Sequence, residues 1–283
     1  MIIRRTLKKI ALIFATLLFA ISGCDGGEMP EKNIKIDNIK SMNPASRDKL
    51  AQKKIYFGHQ SVGNNILLGI QDLMNEYEQI KLNIVETKDP AAFTSGIFAH
   101  SAIGQNEKPE TKIKHFEMIM DKGIGAQADI AFFKFCFVDV DAKTDVDKVF
   151  NAYKSTMKTL KGKYPETTFI HCTVPLLRKE KTTPKAFIKK MLGKDEGFFA
   201  RKHNISRNRF NELMKKEYEG KYPIFDLAKI ESTYSDGSRE SFRENGKTYY
   251  SLVPSFTKDG GHLNEIGRKV VAEQLLRLLS KIE

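Results

Sequence analysis

The sequence is short of cysteine, with three in 283 residues. None of them stands in a Cys/His spacing that makes a zinc site, and no metal or other cofactor is expected. There is no internal repeat and no long low-complexity run, which argues against a solenoid or a disordered polymer. No apolar run reaches the roughly 20 residues of a comfortable membrane span. A compact basic-aromatic platform is also missing, so nucleic acid is not the expected partner. The net charge of +12 then reads as a lysine-rich solvated surface, with attraction to an anionic polymer or lipid surface as the other reading.

What is present begins at the N-terminus. Arg4, Arg5, Lys8 and Lys9 precede an apolar run from Ile10 to Ile21, the pattern of a secretory signal. The run ends in AISGC, small residues before Cys24. This resembles a bacterial lipoprotein signal, whose cysteine is lipidated after cleavage. The resemblance implies a multiply acylated Cys24 anchored in a membrane of the cell envelope, facing the periplasm or the exterior. A single lipid chain anchors only marginally. Residues 25–45 lack an apolar period and carry Gly, Pro, Asn and charges, as a tether does. The expected division is a signal over 1–23, lipidated cysteine and tether over 24–50, and one domain over 51–283. Losing the four basic residues of the signal takes the charge from +12 to +8.

About 235 residues suffice for one domain with a full core. KKIYFG (53–58) predicts a strand, and NNILLGIQDLMNEY (64–77) an amphipathic helix after it. Further strands are expected at 80–87, 128–140, 167–177 and within 222–232. Helices are expected at 111–123, 146–164, 205–220 and 264–282, with a loop-rich stretch at 88–110. Such alternation, with strands apolar on both faces, predicts an α/β three-layer sandwich around a parallel sheet. Ligands in such sheets sit beyond the carboxyl ends of the strands, and Ser61 follows the first strand directly. Cys136 and Cys172 fall in strand-like runs and read as buried thiols. A disulfide between them stays open, because geometry decides it.

A serine hydroxyl needs a base to act as a nucleophile, and the base needs an orienting acid. Asp259 stands three residues before His262, just ahead of the last helix. One short turn can aim the carboxylate at one imidazole nitrogen while the other faces a serine. Each residue also has a plainer reading. Ser61 is placed to cap the helix that begins near Gly63, and Asp259 to make a turn before Gly260 and Gly261. His59 and His171 read as structural. Lys134, in an apolar strand, is unusual. Asp129, Asp139 or the open end of the strand are its candidate partners.

The order of these residues resembles the SGNH (GDSL-like) hydrolase family over roughly residues 53–280. FGHQSVGNN stands where the family has its Gly-Asp-Ser block, and DGGHLNEIG is similar to its last block, Asp-x-x-His. RNRFNELMKKEYEGKYPIFDL resembles its helix-strand stretch, with Asn211 in the helix and Asp226 closing the strand. The resemblance implies a flavodoxin-like sheet and a Ser61–His262–Asp259 triad. Two departures stand out. Gln60 replaces the family's aspartate, and KFCFVDVD lacks the asparagine that helps stabilise the oxyanion. Substitute donors are expected in AIGQNEKPE, from the Gly104 N–H and the Asn106 amide, together with the N–H of Ser61 or Val62.

Three functions follow as expectations. The first is a lipid-anchored serine esterase that deacetylates a cell-surface carbohydrate. The second is an O-acyltransferase with the same triad, closed by a lid over 178–202 that carries Phe187, Phe198 and Phe199. The third is a non-enzymatic glycan-binding protein on a decayed hydrolase scaffold. GHQSVG only approaches the G-x-S-x-G elbow of α/β-hydrolases: its first glycine is one residue too far from Ser61, that elbow follows a later strand, and there the acid and histidine come from separate loops rather than one.

Overall fold

The computed structural model of the chain describes residues 42–179, 199 and 201–283. The signal, Cys24 and the tether up to residue 41 lie outside the described residues, as does most of the expected lid, with Phe187 and Phe198. Helix α1 (Pro44–Gln52) leads into β1 (Lys54–His59) and α2 (Val62–Glu76). Then follow β2 (Ile84–Glu86), β3 (Ile97–Ala102), α3 (Pro109–Ile119), β4 (Ile130–Phe133), α4 (Val146–Lys163) and β5 (Thr168–Cys172). The chain continues through α5 (Arg201–Tyr218), β6 (Ile224–Phe225), α6 (Leu227–Ser232), a hairpin of β7 (Ser241–Glu244) and β8 (Lys247–Tyr250), and α7 (Glu265–Leu279).

Six strands pair in parallel in the order β2-β3-β1-β4-β5-β6. The period of two along each strand sends side chains to two cores. Ile55, Phe57, Ile130 and Phe132 face α1, α2 and α7, where Ile66, Ile70, Leu275 and Leu276 are buried. Tyr56, Ala99, Ala131 and Phe133 face α3, α4 and α5, where Phe116, Tyr153 and Phe210 are buried. Burying a large apolar side chain stabilises by about 1.5–3 kcal/mol, and burial on both faces explains why these strands read as continuous apolar runs. The fold is α/β, with a central parallel sheet between helical layers. Among the described residues no helix is long and apolar enough to cross a membrane.

Several expectations change. The last residues of the expected tether form α1, capped by the Asn43 side chain on the Ala45 N–H at 2.9 Å, with Leu50 buried. The stretch read as loop-rich contains β3, which lies directly against β1. The apolar run 128–140 is strand only as far as Phe133, because Lys134, Cys136 and Asp139 turn into a polar network. The expected strand within 222–232 is two residues long and gives way to α6, capped by Asp226. The β7–β8 hairpin, absent from the sequence reading, turns on Asn245-Gly246 with φ +48° and +78°, the pairing that such a tight turn favours.

Candidate active site

Two helices carry the site. α2 begins just after Ser61, and α7 just after His262. They cross at Gly69, where an added Cβ would lie 2.2 Å from the Arg268 carbonyl oxygen. Arg268 also forks onto Asp72 with contacts of 2.6 and 3.1 Å. Nearer the site, the Leu263 N–H donates to Asn65 Oδ1 at 3.2 Å. This close approach brings together residues 201 positions apart in sequence: Ser61 Oγ lies 2.7 Å from His262 Nε2.

His262 Nδ1 in turn lies 2.6 Å from Asp259 Oδ2. The other carboxylate oxygen accepts from the backbone N–H of Gly261 at 2.9 Å and of His262 at 2.8 Å. Burial works to raise the Asp259 carboxyl. The hydrogen bonds from the Gly261 N–H and from the side chain and N–H of His262 outweigh it and hold the group at about 2. An ionised Asp259 on Nδ1 selects the tautomer whose Nε2 is free to accept from Ser61. The Phe137 ring meets the imidazole edge-on at 5.5 Å, and Phe199 packs against Gly260.

Ser61 does not cap α2 with its side chain. Its hydroxyl is turned to His262 instead, and its backbone takes φ +55° and ψ −111°. For a residue other than glycine this conformation costs about 1–3 kcal/mol and persists only where the surroundings enforce it. Gln60 is the enforcing neighbour. Its Nε2 donates to the carbonyls of Ile103 and Gly104, each at 2.7 Å. Its own carbonyl accepts from the Gly63 N–H at 3.0 Å and lies 3.5 Å from Cys136 Sγ. The thiol of Cys136 thus sits beside the serine turn, on the segment where the resembled family has its asparagine.

The expected oxyanion donors are placed unevenly. The N–H groups of Ser61 and Val62 lie at the open end of α2, since only Gly63 and Asn64 close the first turn, on Gln60 and Ser61. The Gly104 N–H is not available: it donates to His115 Nδ1 at 2.9 Å. With φ +55° and a would-be Cβ 2.6 Å from the Lys112 backbone nitrogen, Gly104 serves the close packing of its loop on α3. Asn106 is exposed, and its Oδ1 accepts from Lys112 Nζ at 2.9 Å. That contact assigns the oxygen side of the amide and leaves Nδ2 as the outward donor.

Beneath this loop Lys112 and Asp139 form an ion pair with both side chains fully buried. Asp139 also accepts from the Glu107 N–H at 2.9 Å and from the Cys136 N–H. Lys134 takes neither of its candidate carboxylates. Its Nζ donates to the Phe135 carbonyl at 3.2 Å and reaches Cys136 Sγ at 3.5 Å. His59 is buried, stacked on Phe57 and 3.1 Å from His100. Burial, then the charges of Lys134 and His100, push it down to about 3, so it stays neutral and structural. His171 is buried on Tyr153 and Tyr218, Asn211 pairs with both backbone polar groups of Val174, and Asp226 caps α6. Cys136 and Cys172 are free, buried thiols. Among the described residues no group of three or more His, Cys, Asp or Glu side chains is arranged to hold a metal.

The sequence reading missed the work of Gln60, Lys112, His115 and Phe137. A signal for one of them existed: Lys112 falls beside Ile113 on the apolar face of α3, where an unpaired charge is not tolerated.

No family model and no curated protein matches the chain. Solved structures similar to it include a protein described as a GDSL-like lipase from Parabacteroides merdae, at 13% identity over 81% of this chain and 98% of that one, with a TM-score of 0.46. An acetyl esterase bound to acetate is 12% identical over 81% and 98%, with a TM-score of 0.44. The periplasmic domain of a lipopolysaccharide acetyltransferase from Salmonella ser. Paratyphi A is 10% identical over 80% and 83%, with a TM-score of 0.42. At these identities the likeness is one of fold.

Proposed function

We propose that the protein is a serine esterase working through Ser61, His262 and Asp259. The hydrogen-bonded chain from Ser61 Oγ through His262 to Asp259, at 2.7 and 2.6 Å, carries the reading. His262 Nε2 takes the Ser61 proton as Oγ attacks the ester carbonyl, and Asp259 stabilises the imidazolium that forms. The N–H groups of Ser61 and Val62 and the amide of Asn106 receive the developing oxyanion; each such donor is worth about 3 kcal/mol. His262 then returns the proton to the departing alcohol, and the C–O bond breaks to leave an acyl-enzyme. Water, deprotonated by His262, releases the acid.

An acyltransferase would share every step but the last. An unreactive binding scaffold gives no reason for a strained serine aimed at a histidine. The preferred substrate is an acetylated cell-surface carbohydrate, met by an enzyme held in the envelope through a lipid on Cys24.

The test is labelling by a fluorophosphonate probe with acetyl-ester turnover in parallel. Wild type should label and release acetate, while Ser61→Ala and His262→Ala should do neither. A folded wild type that neither labels nor turns over ends the esterase reading in favour of the scaffold. Labelling without turnover points to the transferase.

A further inference from the structure

A cavity of about 550 Å³ lies beside the Phe137–Val138 segment. The Phe137 ring touches His262, and the next residue, Val138, lines the cavity. One wall comes from the segment after β3 up to the first turn of α3, a second from the segment after β4 up to the first turn of α4, and His203 and Arg207 of α5 complete the lining. These two strands flank β1, which ends at His59, two residues before Ser61. The cavity therefore lies beyond the carboxyl ends of these parallel strands, where such folds take ligands. Its volume suits a small molecule or part of a larger one.

The lining decides what fits. Asp141 and Asp145 are engaged by the fold, holding the N–H groups of Lys143 and Lys148. Glu107, Glu110, Lys143 and Lys148 line the same cavity, and among the described residues their side chains make no ion pair or hydrogen bond. Two carboxylates offer acceptors and two ammonium groups offer donors, with no net charge between them. The lining as a whole sets four carboxylates against two ammonium groups and the Arg207 guanidinium, which is engaged by the Phe137 carbonyl and Asn204, so a polyanion is disfavoured. A long acyl chain would have to displace water from four charges, which is unfavourable. A neutral ring bearing many hydroxyls satisfies both signs at once.

We infer that this cavity is the subsite for the alcohol part of the ester, and that this alcohol is a saccharide. The inference rests on the serine-esterase reading above. The acyl group then lies on the Ser61 side of Phe137 and the sugar on the Glu110–Lys148 side.

The test uses the full-length protein in detergent, with the double variant Glu110→Ala/Lys148→Ala. Both positions are on helices that tolerate alanine. The substrates are p-nitrophenyl acetate, p-nitrophenyl palmitate, acetylated xylotetraose and acetylated cellotetraose. The expected result is a wild type that prefers an acetylated oligosaccharide to the palmitate. In the variant, the ratio of kcat/KM on that oligosaccharide to kcat/KM on p-nitrophenyl acetate should fall about tenfold, mainly through KM. An unchanged ratio, or a wild type that prefers the palmitate, overturns the subsite while leaving the esterase intact. A wild type that hydrolyses none of the four esters sinks the esterase reading, and this inference with it.

Discussion

Replacing Gln60 with glutamate keeps the shape of the side chain and removes its two donors. In the folded protein Gln60 Nε2 holds the carbonyls of Ile103 and Gly104 at 2.7 Å. Losing two such bonds costs about 2 kcal/mol, and leaving both carbonyl oxygens facing a carboxylate adds about 1–3 kcal/mol. For a domain of this size, Gln60→Glu should lower Tm on the order of 10 °C. The strained Ser61 is the next residue, and a displacement of about 1 Å at a reacting atom is enough to lose roughly a hundredfold in kcat. The sign of the pH dependence follows from the chemistry. A partly buried carboxyl against two carbonyls has its folded pKa raised above the usual value of about 4.3. Destabilisation is then full above the folded pKa and fades as pH falls towards the unfolded value, because the protonated carboxyl donates one bond back. Scanning calorimetry of wild type, Gln60→Glu and Gln60→Ala across pH reads this directly. The gap between wild type and the glutamate variant should narrow in acid, while the gap to the alanine variant should hold. A glutamate variant with wild-type Tm and kcat, or a gap that ignores pH, refutes the clamp.

Two further outcomes follow from the same geometry. Gly69→Ala should push α2 away from the Arg268 carbonyl and lengthen the Ser61–His262 contact, lowering kcat at least tenfold with KM little changed; equal loss in a variant that is unfolded by circular dichroism would not count in its favour. Asp259, held at about 2, has a folded pKa depressed below its unfolded value. Its ionised form contributes stability that is present above about 4 and is lost as pH falls towards about 2. The difference in urea midpoint between wild type and Asp259→Asn should therefore be constant above about pH 5 and shrink below it. A difference that grows in acid reverses the assignment.

The candidate triad was legible because two of its three members are local. Asp259 and His262 share a turn of four residues, in which the carboxylate also receives the N–H groups of Gly261 and His262. A short turn fixes such geometry with little help from elsewhere. Ser61 was legible from its place at the end of an apolar strand. The donors around it were not. The sequence points the Gly104 N–H at the site, whereas in the structure it is taken by a histidine eleven residues later. Strand β3 looks like loop in the sequence because its partner, β1, is some forty residues away, and a six-residue run ending in His100, Ser101 and Ala102 has no strong period of its own.

By itself the sequence determined the alternation of strands and helices, the burial of the sheet on both faces, and the Asp259–His262 turn. All of these arise from contacts within a few residues or from the periodicity of apolar side chains. Only the tertiary structure decided that α2 and α7 cross at Gly69, bringing the imidazole to the serine. It also decided that Gln60 holds the Ser61 turn and that Lys112 and Asp139 neutralise one another beneath the Asn106 loop. Those arrangements join segments tens to hundreds of residues apart. Whether a buried charge or a positive φ is tolerated depends on which distant partner arrives to satisfy it, and no local pattern carries that information.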